Sequence, residues 1–206
     1  MQTKYILALA LVFGLVGGAV SVFFISNNLE KSNNAMIKDF YETENAVHVS
    51  PHSLRGKMDK GDFSYVLVDV RSQEEYEKEH IVGAINIPAY TTPNTSIKIE
   101  TDKEAAKKIV DEFKALPAGK EIITYCYSMP CMTGRKIGKL LAENGIYVKT
   151  LNIGWNEWKY FWTLWNHEGE WNATDVADYV VAGAEPGEPK LKIESGGTCS
   201  KGEFGC

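Results

Sequence analysis

A chain of 206 residues with 44% hydrophobic and 11% aromatic content has the size and composition of one packed domain with appendages. A net charge of −5, with no cluster of Lys and Arg, argues against nucleic acid as a partner, because a phosphate-binding surface needs concentrated cations. No internal repeat is visible.

The first feature in chain order is Tyr5 to Ile25, 21 residues without a charge. Roughly 20 apolar residues suffice to cross a bilayer as a helix. Lys4 precedes the stretch and Glu30 is the first acidic residue after it, which orients the rest of the chain outward. A cleaved signal peptide, with Gly17 and Ala19 as the small residues before the cut, is the competing reading. Both readings export the domain. The expected organisation is an N-terminal transmembrane anchor or signal peptide over 1–27, a polar spacer over 28–45, a folded domain over 46–180 and a flexible Gly/Pro-rich tail over 181–206.

Within the folded part, strand and helix signals alternate. Ser50-Pro51 predicts a helix start, with proline where its missing N–H costs nothing. Tyr65 to Val70 is a short apolar run of β-branched type, as expected of a buried parallel strand. Ser72 with Glu75 has capping-box spacing and predicts a helix from Gln73 to Glu79, most simply a solvated face. "AINIP" predicts a strand stopped by Pro88. Thr101 with Glu104 predicts a second capping box, ahead of Ala105, Ala106, Ile109, Val110 and Phe113 at helical spacing. "EIITY" predicts the next buried strand. Ile137, Leu140 and Leu141 mark a helix that Asn144-Gly145 ends. "YVKTL" predicts a further strand, and Trp155 to Trp165 a helix whose aromatic residues are mostly core. This alternation predicts an α/β fold, a central parallel sheet flanked by helices on both faces. Ligands in such sheets gather at the carboxyl ends of strands.

Cys126 stands where "EIITY" ends, a few residues before the next helix. A loop there presents backbone N–H groups to one point, which favours an anion and hence the thiolate over the thiol. Arg135 and Lys136 add positive charge nearby. The position therefore predicts a reactive cysteine that handles an anionic or sulfur-bearing substrate.

"VLVDVRSQEEYEKEHIVGAINIP" (residues 66–88), "TYCYSMPC" and "LNIGWNEW" (residues 151–158) occur in the order of a rhodanese domain, which the chain resembles over about residues 45 to 165. The resemblance implies transfer of sulfane sulfur through a persulfide on Cys126, with Tyr127, Ser128, Met129, Pro130, Met132, Thr133 and Gly134 forming the active-site loop. It implies structural roles for Asp69 and Arg71, and a turn-stabilising role for His80. The loop departs from the common pattern: Cys131 stands five positions after Cys126, where arginine is usual, and the loop is about two residues longer. It is similar to a rhodanese variant with a second cysteine before the helix. Arg135 is the possible replacement anion binder. The phosphatase pattern of cysteine, five residues and arginine is also unmet, since Arg135 lies nine positions on.

Cys131 has three readings: a resolving or relay thiol that attacks the Cys126 persulfide, a disulfide partner, or a small apolar filler. Two cysteines are too few ligands for a metal site, so no metal or organic cofactor is expected. Cys199 and Cys206, in the Gly-rich tail, read either as a small disulfide loop or as a swinging sulfur carrier; about 25 flexible residues reach roughly 25–30 Å.

The expected protein is a membrane-anchored, single-pass sulfurtransferase facing the periplasm or cell surface. Its partners are a sulfur-containing anion or persulfide donor, a thiol acceptor, and the membrane through the N-terminal helix. Two rivals remain: a thiol–disulfide redox protein using Cys126 and Cys131, and a catalytically silent fold that acts as a binding module.

Overall fold

The computed structural model describes residues 2–29, 32–97, 99–172 and 174–192. Cys199 and Cys206 lie outside the described residues. The chain divides into two compact units, residues 1–45 and 46–206.

The first unit holds helix α1 (Gln2–Leu29) and most of α2 (Asn33–Val47). Within α1, Lys4–Phe23 is long and apolar enough to cross a membrane, a property shared by anchors and signal sequences near an N-terminus. Within the stretch expected to be a spacer, residues 33–45 are helical instead. Met36, Ile37, Phe40 and Tyr41 recur at helical spacing along α2, a period that the Asn-rich flank obscures in sequence.

The second unit is built on a five-stranded parallel sheet. Its strands are β1 (His48–Val49), β2 (Tyr65–Asp69), β4 (Ala84–Asn86), β5 (Glu121–Tyr125) and β6 (Lys149–Leu151), in the order β1-β6-β5-β2-β4. Full-length pairing of β2 with β5, from Tyr65 opposite Glu121 to Asp69 opposite Tyr125, makes these two the centre. Side chains alternate across the sheet. Tyr65, Leu67, Ile123 and Tyr125 face one core, shared with α3 (Pro51–Lys60), α4 (Gln73–Lys78) and α7 (Trp155–Tyr160). Val66, Val68 and Ile122 face the other, shared with α5 (Lys103–Lys114) and α6 (Met132–Glu143). The continuous apolar run of β2 thus serves two cores, as a strand covered on both faces must.

Local signals were followed with three changes. Ser72 and Glu75 form the expected capping box, and α4 ends at Lys78. The cap of α5 is Asp102 rather than Thr101: its carboxylate accepts from the Glu104 and Ala105 N–H groups, a two-bond cap on the residue next to the helix. The aromatic segment is broken at Phe161 into α7 and a 3₁₀ turn at Trp162–Leu164, which allows the Trp158 and Trp165 rings to stack with centroids 4.6 Å apart. Helix α6 ends as expected, with Gly145 left-handed at φ 75° and Ile146 N–H returning to the Leu141 carbonyl.

The segment read as a tail from residue 181 is laid on the domain as far as Lys192. Strand β7 (Val180–Val181) pairs antiparallel with β3 (His80–Ile81). The Gly83 N–H donates to the Pro186 carbonyl, and the Lys192 N–H to that of Asp59. Backbone hydrogen bonds made far along the sequence hold this stretch, and its composition carries no trace of them.

Candidate active site

The candidate site sits at the carboxyl end of β5, beside the sheet centre. Cys126 follows the last β5 residue, and Cys131 is the N-cap of α6. Both are buried free thiols, 5% and 6% exposed, within the core shared with α5 and α6. The five-residue separation closes into a tight loop: the Cys131 N–H donates to the Ser128 carbonyl at 3.1 Å.

The two thiols titrate in opposite directions. Cys131 is held down to about 6, first by the hydrogen bond from Cys126. Burial opposes this, and the Thr133 hydroxyl and the Thr133 and Gly134 amides support it. The first turn of α6 carries no acidic residue, and the Cys131 side chain makes no cap hydrogen bond there. Cys126 is pushed far up, first because it gives its hydrogen to Cys131 and next by burial. The Tyr127 amide pulls the other way. Each shift has the other thiol as its first cause, so the two titrate as a coupled pair.

The loop N–H groups do not converge on Cys126 as the sequence led us to expect. Pro130 has none, the Met129 N–H donates to Glu157 Oε2 at 3.1 Å, and the Cys131 N–H is taken by Ser128. The loop is instead strapped to the start of α7. Trp155 N–H donates to the Cys126 carbonyl and Asn156 N–H to that of Tyr127, each at 2.9 Å. Glu157 Oε2 also accepts the Gly154 N–H at 2.9 Å, so one carboxylate holds both the helix start and the loop. Ser128 has a buried hydroxyl with no hydrogen-bond partner.

The cations are differently placed. Arg135 turns its guanidinium onto the Cys131 and Met129 carbonyls, at 3.2 and 3.4 Å, and braces the loop from behind. Lys136 lines an open cleft of about 600 Å³ beside the loop and is paired with Glu100 at 2.8 Å. Glu75, Tyr90, Tyr127, Thr133 and Asn156 line the same cleft. The Tyr90 phenol is pushed well up, first by burial, so it stays protonated at the cleft wall. The apolar residues around it hid Tyr90 in the sequence. Glu157 stands three residues after Gly154, the spacing at which a glutamate reaches back to the N–H at a helix start, although glycine has no side chain to complete a capping box. Among the loop residues, Tyr127, Met129 and Met132 are exposed.

The remaining expected residues are structural. Asp69 and Arg71, 0% and 2% exposed, form a bidentate pair with a shortest contact of 2.6 Å. Arg71 also reaches the Glu79 carbonyl and lies 4.6 Å from the Trp155 ring centroid. His80 is fully buried, stacked on Tyr76 at 3.7 Å, with Nδ1 2.8 Å from the Tyr76 carbonyl.

One group of metal-ligand types lies elsewhere: His52, His167 and Glu170, with ligand atoms all within 4.8 Å of one another. The buried Arg55 guanidinium is already on Glu170 Oε1 at 2.7 Å, and the His167 N–H on Oε2 at 3.2 Å. This carboxylate is neutralised by a cation of the chain itself, which fits an ion-pair cluster better than a metal centre.

The parallel sheet, the strand-end cysteine and the Asp69–Arg71 pair form one constellation, and the family model of the rhodanese-like domain matches residues 50–160, more than half of the chain. The chain belongs to the rhodanese-like domain family. Membership points to sulfur transfer as the general chemistry of the site. An HTH-type transcriptional regulator of Mycobacterium tuberculosis is 31% identical over 93 residues, which is 45% of this chain and 34% of the regulator; the chain thus spans about a third of that relative. Among solved structures, the BH2092 protein of Bacillus halodurans is 24% identical with a TM-score of 0.48, covering 69% of this chain and all of its own. The rhodanese-like domain of the Alr3790 protein of Anabaena is 16% identical with a TM-score of 0.40, covering 77% of this chain and 96% of its own.

Proposed function

We propose that this rhodanese-like domain is a sulfurtransferase that takes sulfane sulfur from thiosulfate, polysulfide or a persulfide and passes it to a thiol acceptor, through a persulfide on Cys126. The observation that carries the reading is the place of Cys126: it follows the central strand β5 at its carboxyl end, buried in the same core as Cys131 at the start of the next helix. Attack by Cys126 on the outer sulfur of the donor expels the remainder of the donor, and the acceptor thiol later removes the carried sulfur. The N-terminal helix holds the domain at a membrane, on the extracytoplasmic side. Cys199 and Cys206 either close a small disulfide loop or carry sulfur away from the site.

The test is mass spectrometry on the reduced full-length chain, in wild-type and Cys131→Ser forms, after treatment with thiosulfate or an organic persulfide. The expected result is a gain of one sulfur atom on Cys126, absent in Cys126→Ser and discharged by added thiol. A Cys126–Cys131 disulfide as sole product of the wild type, with no sulfur gained by Cys131→Ser and no sulfide released, overturns the reading in favour of a thiol–disulfide redox protein.

A further inference from the structure

We propose that Glu157 is a specificity-determining residue of the sulfur-transfer site: it disfavours anionic donors and selects an organic persulfide whose organic part is uncharged or carries an amino group. This rests on the Cys126 persulfide reading above and names its donor class.

An anionic donor needs N–H groups or cations beside the attacking sulfur. Those around the loop are committed elsewhere. The Met129 N–H donates to Glu157 Oε2 at 3.1 Å, the Cys131 N–H to the Ser128 carbonyl at 3.1 Å, and Pro130 has none. The nearby cations are occupied as well: Arg71 by Asp69, Lys136 by Glu100, Lys159 by Glu79, and Arg135 by the Met129 and Cys131 carbonyls.

Glu157 does more than occupy an amide. Its Oε2 accepts from the backbone N–H groups of Met129 and Gly154, and among the described residues no cation pairs with it. A half-buried carboxylate held by neutral donors keeps its whole charge, and solvent screens it less than an open one. The charge is fixed in place. Trp155 and Asn156, on the same helix start, donate to the Cys126 and Tyr127 carbonyls at 2.9 Å each, which locks α7 against the loop. The field at the loop therefore opposes a further negative charge and favours a positive one.

The cleft suits the same class. About 600 Å³ is room for a small organic molecule, and Tyr90, Tyr127, Thr133 and Asn156 offer it uncharged hydrogen-bonding groups. The carboxylate on its wall is Glu75, which accepts from the Ser72 hydroxyl at 2.7 Å.

The transfer balances without a further reagent. The Cys126 sulfur attacks the outer sulfur of R–S–SH, the donor S–S bond breaks as the new one forms, and RS⁻ leaves with the Cys126 proton as R–SH. One S–S bond replaces another, with no net gain or loss of electrons.

The experiment follows persulfide formation on Cys126 by mass spectrometry of the reduced full-length chain. Its donors share the reacting group and differ in charge: the persulfides of mercaptoacetate, mercaptoethanol and cysteamine, each rate divided by that donor's rate with a free neutral thiol. At low salt the cationic donor is expected to react about tenfold faster than the anionic one, with the neutral donor between. Salt at about 1 M compresses that ratio. Glu157→Gln, which keeps an oxygen to accept the two N–H groups, brings the ratio to within about twofold of one, whereas Glu157→Asp retains it. A residue that only braces the loop would change all three rates by one factor and leave the ratio as it was; that result overturns the inference. So does a wild type that loads equally from all three, or fastest from the anionic donor, and the transfer reading then stands. If no donor loads Cys126, the transfer reading itself falls and the inference with it.

Discussion

Gly154, at the start of α7, lies directly against the backbone of Ser128 in the cysteine loop: a β-carbon at position 154 would stand 2.2 Å from Ser128 N and 2.3 Å from Ser128 Cα. Contact this close with backbone cannot be relieved by a rotamer change, so the loop itself must move. Gly154→Ala is expected to cost about 1–3 kcal/mol of stability and to displace both thiols. Its persulfide formation should fall by at least about tenfold at a temperature where it remains folded. Thermal melts and single-turnover sulfur uptake check this, and unchanged uptake would show that the strap to α7 does not position the thiols.

Arg71 and Asp69 are buried charges that each depend on the other. Arg71→Ala leaves the Asp69 carboxylate unpaired and is expected to destabilise the domain by about 3–5 kcal/mol. Arg71→Lys should recover little, because an ammonium replaces neither the two-pronged pairing nor the stacking on Trp155. Denaturant titrations decide the point; a loss under about 1 kcal/mol for Arg71→Ala would mean the pair adds little to the fold.

The charge on the cysteine pair gives a pH signature. An acid whose affinity for its proton is lowered is charged above its midpoint and neutral below it. One thiolate should therefore appear, by absorbance near 240 nm, as pH rises through about 6, while an ordinary cysteine titrates at 9.0. Cys131→Ser should abolish this early thiolate. Cys126→Ala should move the midpoint upward, since the strongest cause of the lowering is the hydrogen bond from Cys126. An early thiolate that survives Cys131→Ser and vanishes in Cys126→Ala would place the charge on the other sulfur.

Arg135 offers a test of what the loop recognises. Its guanidinium is on the Cys131 and Met129 carbonyls. Arg135→Gln is thus expected to slow sulfur uptake by roughly two- to threefold from thiosulfate and from an uncharged persulfide alike. A selective loss of about tenfold or more with thiosulfate would show that the side chain turns to the anion during reaction.

Spacing along the chain is enough to specify the alternation of elements and the two-faced parallel sheet. It determined the α4 capping box and the placement of Cys126 at a strand end, because each follows from spacing within a few residues. The same is true of the apolar N-terminal helix, whose length and composition are local properties. Only the tertiary structure decided what the loop does with its donors. Local chain geometry predicts N–H groups gathered at Cys126. The fold gives the Met129 N–H to Glu157, the Cys131 N–H to Ser128, and the Cys126 and Tyr127 carbonyls to α7. It also decided that residues 181–192 lie on the domain, that Arg135 braces the loop, and that Tyr90 stands at the cleft. Each of these depends on a contact between segments distant in sequence, and the energy of burying a polar group or charge is set by those neighbours rather than by the residue's own type.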